Sequence, residues 1–326
     1  MGLFDLFKSK PQPAANEGSS DGKTQTVPFE VLRDDGLRAM KMGEVPFAAK
    51  CFAAALELRD DLPTLSYLAE AQIRMNDYPA ARPTLERLVA EAPDNLTLHL
   101  LLSRTLDELN EPAAMKTAAE AALALDGNSA PARYYAAKAS FRLGDPFNAI
   151  AQLTQLLEQH PDYAEGRSLR ARILTGMYQY QEAAADTALL VEQQPDNEEY
   201  LDQHATVLAA LGRGEEAEQC WKKILECNPF HREAVIRLCA YYESCSLRDR
   251  ALALLDEAIE LQPDFAEAYK LRGGIKLELH DKEGAAADLK KSMEMDPESA
   301  KKIDGEYSNI ENRLNERFRQ QNPYGF

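Results

Sequence analysis

Proline recurs at Pro93, Pro161, Pro195, Pro229, Pro263 and Pro297, 34 residues apart except for one double step whose midpoint is Gly127. A chain marked at this interval is built from copies of one unit, and a unit so short cannot enclose a core alone, so the copies must stack. Two further columns keep the register. Ala48, Ala81, Met115, Ala149, Ala183, Ala217, Ala251 and Ala285 form one; Gly36, Ala69, Ser103, Ala137, Ala171, Ala205, Cys239 and Gly273 form the other. Every member is small apart from Met115.

Between successive prolines lie two stretches of helical periodicity joined by a short polar turn, for example Asp264 to Leu279 and then Glu283 to Met295. Each copy therefore reads as a helical hairpin, with the two small-residue columns facing each other so that the helices approach closely. The proline stops the preceding helix. Asp162 with Glu165, Asp196 with Glu199 and Asp264 with Glu267 then have the spacing of a capping box for the next one.

These features resemble the tetratricopeptide repeat family over about residues 29–297. The resemblance implies an all-α fold, a right-handed α-solenoid (superhelix) of about eight helical hairpins, whose first helices line a concave groove that holds a peptide or helix of a partner. Some copies depart from the family pattern. His99, Arg133 and Arg167 stand where a large residue is usual early in the first helix, and Ala119 and Thr187 where a large aromatic is usual in the second, which predicts looser packing in the middle. Residues 1–28 read as a flexible polar tail, with an apolar Leu3, Phe4, Leu6, Phe7 cluster at its start. Beyond the array, Ile303, Tyr307, Ile310, Leu314 and Phe318 form one apolar stripe, so 298–320 reads as a capping helix and 321–326 as a tail.

Composition bears on partners. With 37 Lys and Arg against 54 Asp and Glu, the formal charge is −17, and nucleic acid would be repelled over most of the surface. No apolar run is long enough for an integral membrane segment, and no signal-peptide core follows Met1, so a cytoplasmic chain is expected. No P-loop, zinc-protease, nucleophile-elbow or dinucleotide motif is present; no enzyme activity, cofactor or metal is expected. The five histidines fall in five different copies and read as helix-end or surface residues. Cys220, Cys227, Cys239 and Cys245 crowd one stretch without a C-x-x-C pair and read as small packing residues.

What remains is the groove that the resemblance implies. The inward column of the first helices reads Leu37, Glu70, Arg104, Lys138, Arg172, Thr206, Ala240, Gly274, so three consecutive cations stand in register in a strongly acidic chain. Tyr134 and Phe141 flank this column, with Arg142 beside Phe141. Arg104, Lys138, Arg172, Tyr134, Phe141 and Arg142 are thus the candidate binding residues for a short acidic peptide. A purely structural reading also exists, because Asp107 is near enough in sequence to pair with Arg104. The acidic column Glu165, Glu199, Glu233 and Glu267 has a local cause in the helix dipole. The function expected is a non-enzymatic scaffold for a protein or peptide ligand. The alternative is a structural repeat protein that forms homo-oligomers through its terminal helices or its Pro323-Tyr-Gly-Phe326 tail.

Overall fold

The computed structural model describes residues 27–296, so the N-terminal apolar cluster, the expected capping helix and the C-terminal tail lie outside the described residues. The described residues form sixteen α-helices in eight hairpins and no strand. The pairs are α1 (Phe29–Met42) with α2 (Val45–Leu58), α3 (Leu62–Arg74) with α4 (Tyr78–Glu91), α5 (Leu96–Glu108) with α6 (Pro112–Leu125), and α7 (Ala130–Arg142) with α8 (Pro146–Gln159). Then follow α9 (Ala164–Gly176) with α10 (Tyr180–Gln193), α11 (Glu198–Ala210) with α12 (Gly214–Cys227), α13 (Arg232–Ser244) with α14 (Arg248–Leu261), and α15 (Ala266–Glu278) with α16 (Lys282–Met295). The chain divides into two compact units, residues 1–173 and 174–326, and each is described by itself.

The hairpins close because one residue between their helices adopts a left-handed conformation. Gly43, Asn76, Asn110, Gly144, Tyr178, Gly212, Ser246 and His280 all have positive φ, one in each hairpin. Glycine and asparagine suit that backbone, whereas Tyr178, Ser246 and His280 hold it at some cost. The helices then meet through the two columns read from the sequence. Each member of the alanine column is at most 1% exposed, and Ala69, Ser103, Ala137, Ala171, Ala205 and Cys239 opposite are wholly buried. At Gly36 the Phe52 ring occupies the space a Cβ would need, so the absent side chain is part of the packing.

The caps sit one residue later than the capping-box spacing predicts. Asn95 accepts from the Thr97 and Leu98 amides at 3.0 and 3.3 Å, Ser129 from Ala132 at 3.4 Å and Asn197 from Tyr200 at 3.2 Å. Asp196 and Asp264 precede the cap positions Asn197 and Phe265, and Asp162 stands two residues before the start of α9. After the proline the chain needs two residues to turn, so Asp196 and Asp264 are left outside their helices, where they pair with Lys223 and Arg232 at 3.1 and 2.8 Å.

The polar departures from the family pattern are bonded, not loose. His99 Nε2 lies 2.8 Å from the Pro93 carbonyl, and Arg133 and Arg167 donate to the carbonyls of Gly127 and Pro161. Each side chain reaches back six residues to the turn that enters its own hairpin, and occupies a carbonyl that a hydrophobic residue would leave to solvent. His99 and Arg167 are buried while doing so.

Within the first unit, Leu65, Leu85, Leu88, Leu98 and Leu106 belong to a core running from α3 to α7. Its first helices also touch each other, α1 with α3 and α5 with α7, while second helices make no comparable contact. Some first helices of this unit therefore pack directly on one another. In the second unit Trp221, Tyr242, Leu255, Phe265 and Tyr269 belong to a core running from α11 to α15.

Candidate functional site

All six candidate residues fall in the first unit: Arg104 on α5, Tyr134, Lys138, Phe141 and Arg142 on α7, and Arg172 on α9. Two of them are held by Asp107, which points from α5 towards α7. Lys138 Nζ donates to Asp107 Oδ2 at 2.7 Å, and Arg142 Nη1 lies 2.9 Å from Oδ1 while donating to the Asp107 carbonyl at 3.0 Å. Asp107 thus pairs across helices with Lys138 and Arg142, and not along α5 with Arg104 as its sequence position suggested. Its side chain is only 11% exposed, so the pair is a fixed strut and not a screened surface contact.

Arg104 and Arg172 behave differently. Both are exposed, and neither makes a hydrogen bond or ion pair with another described residue. Each is nevertheless close enough to act on a tyrosine: Arg172 favours ionisation of Tyr134, and Arg104 that of Tyr135. The three-cation ladder is therefore two open guanidinium groups with a tethered lysine between them.

Tyr134 contributes less apolar surface than its place in the sequence suggested. Its ring packs 5.5 Å from Tyr135 and 5.8 Å from Tyr163, with Lys138 Nζ 5.8 Å from its centroid. Burial, and then the charge of Asp107, push its hydroxyl up to about 12, so it is a neutral hydrogen-bond donor at any ordinary pH. Burial raises Tyr163 as well. Phe141 is 36% exposed and is available for apolar contact, whereas Arg142 beside it is turned towards Asp107. Sequence reasoning missed Tyr163, which lies in the turn before α9 where no helical period marks it.

The other titratable residues are less uniform than expected. His160, His231 and His280 do sit at helix ends or turns, but His99 is buried and His204 is half-buried with Nδ1 2.8 Å from Thr187 Oγ1. Burial, and then Arg213, hold His204 below its ordinary range. Of the four clustered cysteines, only Cys239 is wholly buried, its thiol pushed up to about 12 by burial. Cys227 and Cys245 are exposed, so packing does not account for them. No three His, Cys, Asp or Glu side chains among the described residues could hold a metal ion, and no described helix is long and apolar enough to cross a membrane.

Two models of the tetratricopeptide repeat match this chain, one over residues 131–163 and the other over residues 67–132 and 247–300. The chain is a tetratricopeptide repeat protein. Those ranges hold five of the six candidate residues; Arg172 lies outside them. Among solved structures, a tetratricopeptide repeat protein from Parabacteroides merdae is 20% identical with a TM-score of 0.48, over 82% of this chain and 93% of that one. Cut9–Hcn1 of the APC/C hetero-tetramer is 13% identical with a TM-score of 0.50, over 82% of this chain and 53% of that one. YrrB, described as having an unusual peptide-binding site, is 23% identical with a TM-score of 0.48, over 56% and 95%. At these identities the likeness is one of fold. No curated protein matches the chain. Tetratricopeptide repeat proteins are generally non-enzymatic scaffolds, and the all-α repeat solenoid seen here is suited to protein–protein interaction.

Proposed function

We propose that this tetratricopeptide repeat protein is a non-enzymatic cytoplasmic scaffold whose first unit captures a short acidic segment of another protein. The observation that carries this reading is the pair of open guanidinium groups, Arg104 and Arg172, on either side of the Asp107-anchored strut. A cation with an internal partner gains little from a ligand, and one without a partner gains a charge-assisted bond. Neighbouring first helices lie about 10 Å apart, and an extended chain advances about 3.3 Å per residue. Carboxylates roughly six residues apart would therefore reach Arg104 and Arg172, two helices away from each other, while the segment between them passes Lys138 and the exposed edge of Phe141. Asp107 fixes Lys138 and Arg142 before the ligand arrives, which limits the side-chain entropy lost on binding. Glu108 and Glu165 lie near the tyrosines and favour a ligand whose acids are spaced over a continuous run of negative charge.

The test is a fluorescent peptide with two glutamates six residues apart, titrated into the full chain at low and moderate salt. Binding is expected to weaken with salt, and Arg104→Glu with Arg172→Glu is expected to reduce it at least about tenfold, or about 1.4 kcal/mol. Equal binding by wild type and the double variant would show the reading to be wrong.

A further inference from the structure

In the second unit, α11 and α13 carry Thr206 and Ala240 at the register that holds Arg104, Lys138 and Arg172 in α5, α7 and α9. With short side chains in place of long cations, the surface opens into a recess of about 520 Å3 lined by residues that include Thr206, Trp221, Arg237, Ala240, Tyr241 and Cys245. Two of its walls are aromatic, the Trp221 and Tyr241 ring centroids lying 6.3 Å apart. Gly214 makes this possible, since the Tyr241 ring occupies the place its Cβ would take.

Arg237 is the polar wall, and two of its three nitrogens are engaged. Nη1 donates to Thr206 Oγ1 at 2.6 Å, and Nε donates to Glu233 at 3.0 Å and lies 3.3 Å from Asp202 Oδ1. Asp202 also accepts from Trp221 Nε1 at 3.1 Å, which ties the cation to the indole. Even so, 35% of the Arg237 side chain is exposed. Hydrogen bonds lie in the guanidinium plane, so those to Glu233 and Thr206 leave its flat face open to a ligand. An anion would find this charge already matched by Asp202 and Glu233, and a cation would find those carboxylates already matched by Arg237. A neutral π-system loses neither pairing and gains stacking on a guanidinium that is held in place.

We propose that this recess receives one aromatic side chain, phenylalanine or tyrosine, from an extended segment of a partner polypeptide, stacked on Arg237 against Tyr241. The site is separate from the acidic-segment reading of the first unit and does not depend on it. Trp221 is the single tryptophan of the chain and lines the recess, so its fluorescence has one source next to the site.

The experiment titrates the full chain with acetyl-Gly-Gly-X-Gly-Gly-amide, where X is phenylalanine, tyrosine, cyclohexylalanine or alanine, and in parallel with adenosine monophosphate. The phenylalanine and tyrosine peptides are expected to give a saturable change in Trp221 emission. Cyclohexylalanine, equal in bulk but without a π face, is expected to bind about tenfold more weakly, as the worth of one such contact implies. Ala240→Arg places in the recess the kind of side chain found at this register in α5 and α9, at an exposed helix position that tolerates arginine, and is expected to abolish the response. The phenylalanine peptide is expected to slow alkylation of Cys245 and not of Cys227 at the end of α12, and Arg104→Glu with Arg172→Glu is expected to leave all of this unchanged. The proposal is overturned if no peptide saturates, if cyclohexylalanine binds as well as phenylalanine, if the nucleotide binds more tightly than the peptides, or if a folded Ala240→Arg chain responds like wild type.

Discussion

The two units are built from one hairpin and use their cations in opposite ways. In the first, Asp107 holds Lys138 and Arg142, and Arg104 and Arg172 are left open to solvent. In the second, Arg237 is tied to Thr206, Glu233 and Asp202, and Arg272 and Lys276 both close on Asp288. The fold tolerates either choice because these positions lie on first-helix faces, clear of the alanine column that sets the helix spacing. Where the cations are free the surface is suited to charge; where they are pinned, short residues beside them leave room for shape.

The sharpest test of this contrast is at Asp288, where the ion pairs carry structural weight. Its side chain is 7% exposed, and Arg272 contacts it through both Nε and Nη2, at 2.8 and 2.6 Å. Asp288→Ala leaves two cations without their shared partner and is expected to destabilise the last hairpin by about 3 kcal/mol, seen as faster amide exchange in α15 and α16. Desolvation opposes ionisation of this carboxyl, but bonds from Arg272 and Lys276 outweigh it and hold its pKa below the ordinary range. A carboxyl depressed on folding stabilises above its unfolded pKa and loses that contribution as pH falls through the folded value. The wild-type hairpin should therefore weaken below about pH 4, and the variant should lack this acid limb. Asp107→Ala is the counterpart in the first unit. It removes one bond to each of two partly exposed cations, with an expected cost of about 2 kcal/mol, measured as a shift in the denaturation midpoint. A loss at Asp107 as large as that at Asp288 would mean that the two units do not differ in this respect.

A smaller and pH-dependent effect is expected at His204. Burial and Arg213 depress its pKa in the folded chain, so the unfolded chain takes up the proton first as pH falls below about 6.5. Stability from this site is complete above that pH and declines below it. His204→Gln should flatten the stability profile of the second unit between pH 7 and 5.5, read by amide exchange in α10 and α11; an unchanged profile would place the sensitivity elsewhere.

The hairpins were legible because their determinants are local or strictly periodic: a proline, a left-handed turn residue and two columns of small side chains. The caps were displaced by one residue because spacing records where a helix stops but not how many residues the turn consumes. His99, Arg133 and Arg167 looked like packing defects since their partners are main-chain carbonyls, which no side-chain pattern reveals. Asp107 misled for a related reason. Its neighbour along α5 is Arg104, but its partners Lys138 and Arg142 are reached only once α5 and α7 lie side by side. The recess around Arg237 was invisible for the converse reason, because it is made by what Thr206 and Ala240 lack.

The smallest expected effect on stability is also the one that bears most directly on function. Arg104→Gln with Arg172→Gln removes two exposed cations that have no internal bond to lose, so the stability read from thermal melting should change by no more than about 0.5 kcal/mol. Lys138→Gln deletes only one cation, yet it strips Asp107 of its 2.7 Å partner and should cost about 1 kcal/mol or more. Acidic-peptide binding should rank the other way, with the double variant impaired most, because Lys138 is already occupied and contributes mainly by being in place. If Lys138→Gln instead lowers affinity as much as the pair while leaving stability untouched, then the lysine leaves Asp107 for the ligand, and the strut is a competitor that a bound acid displaces.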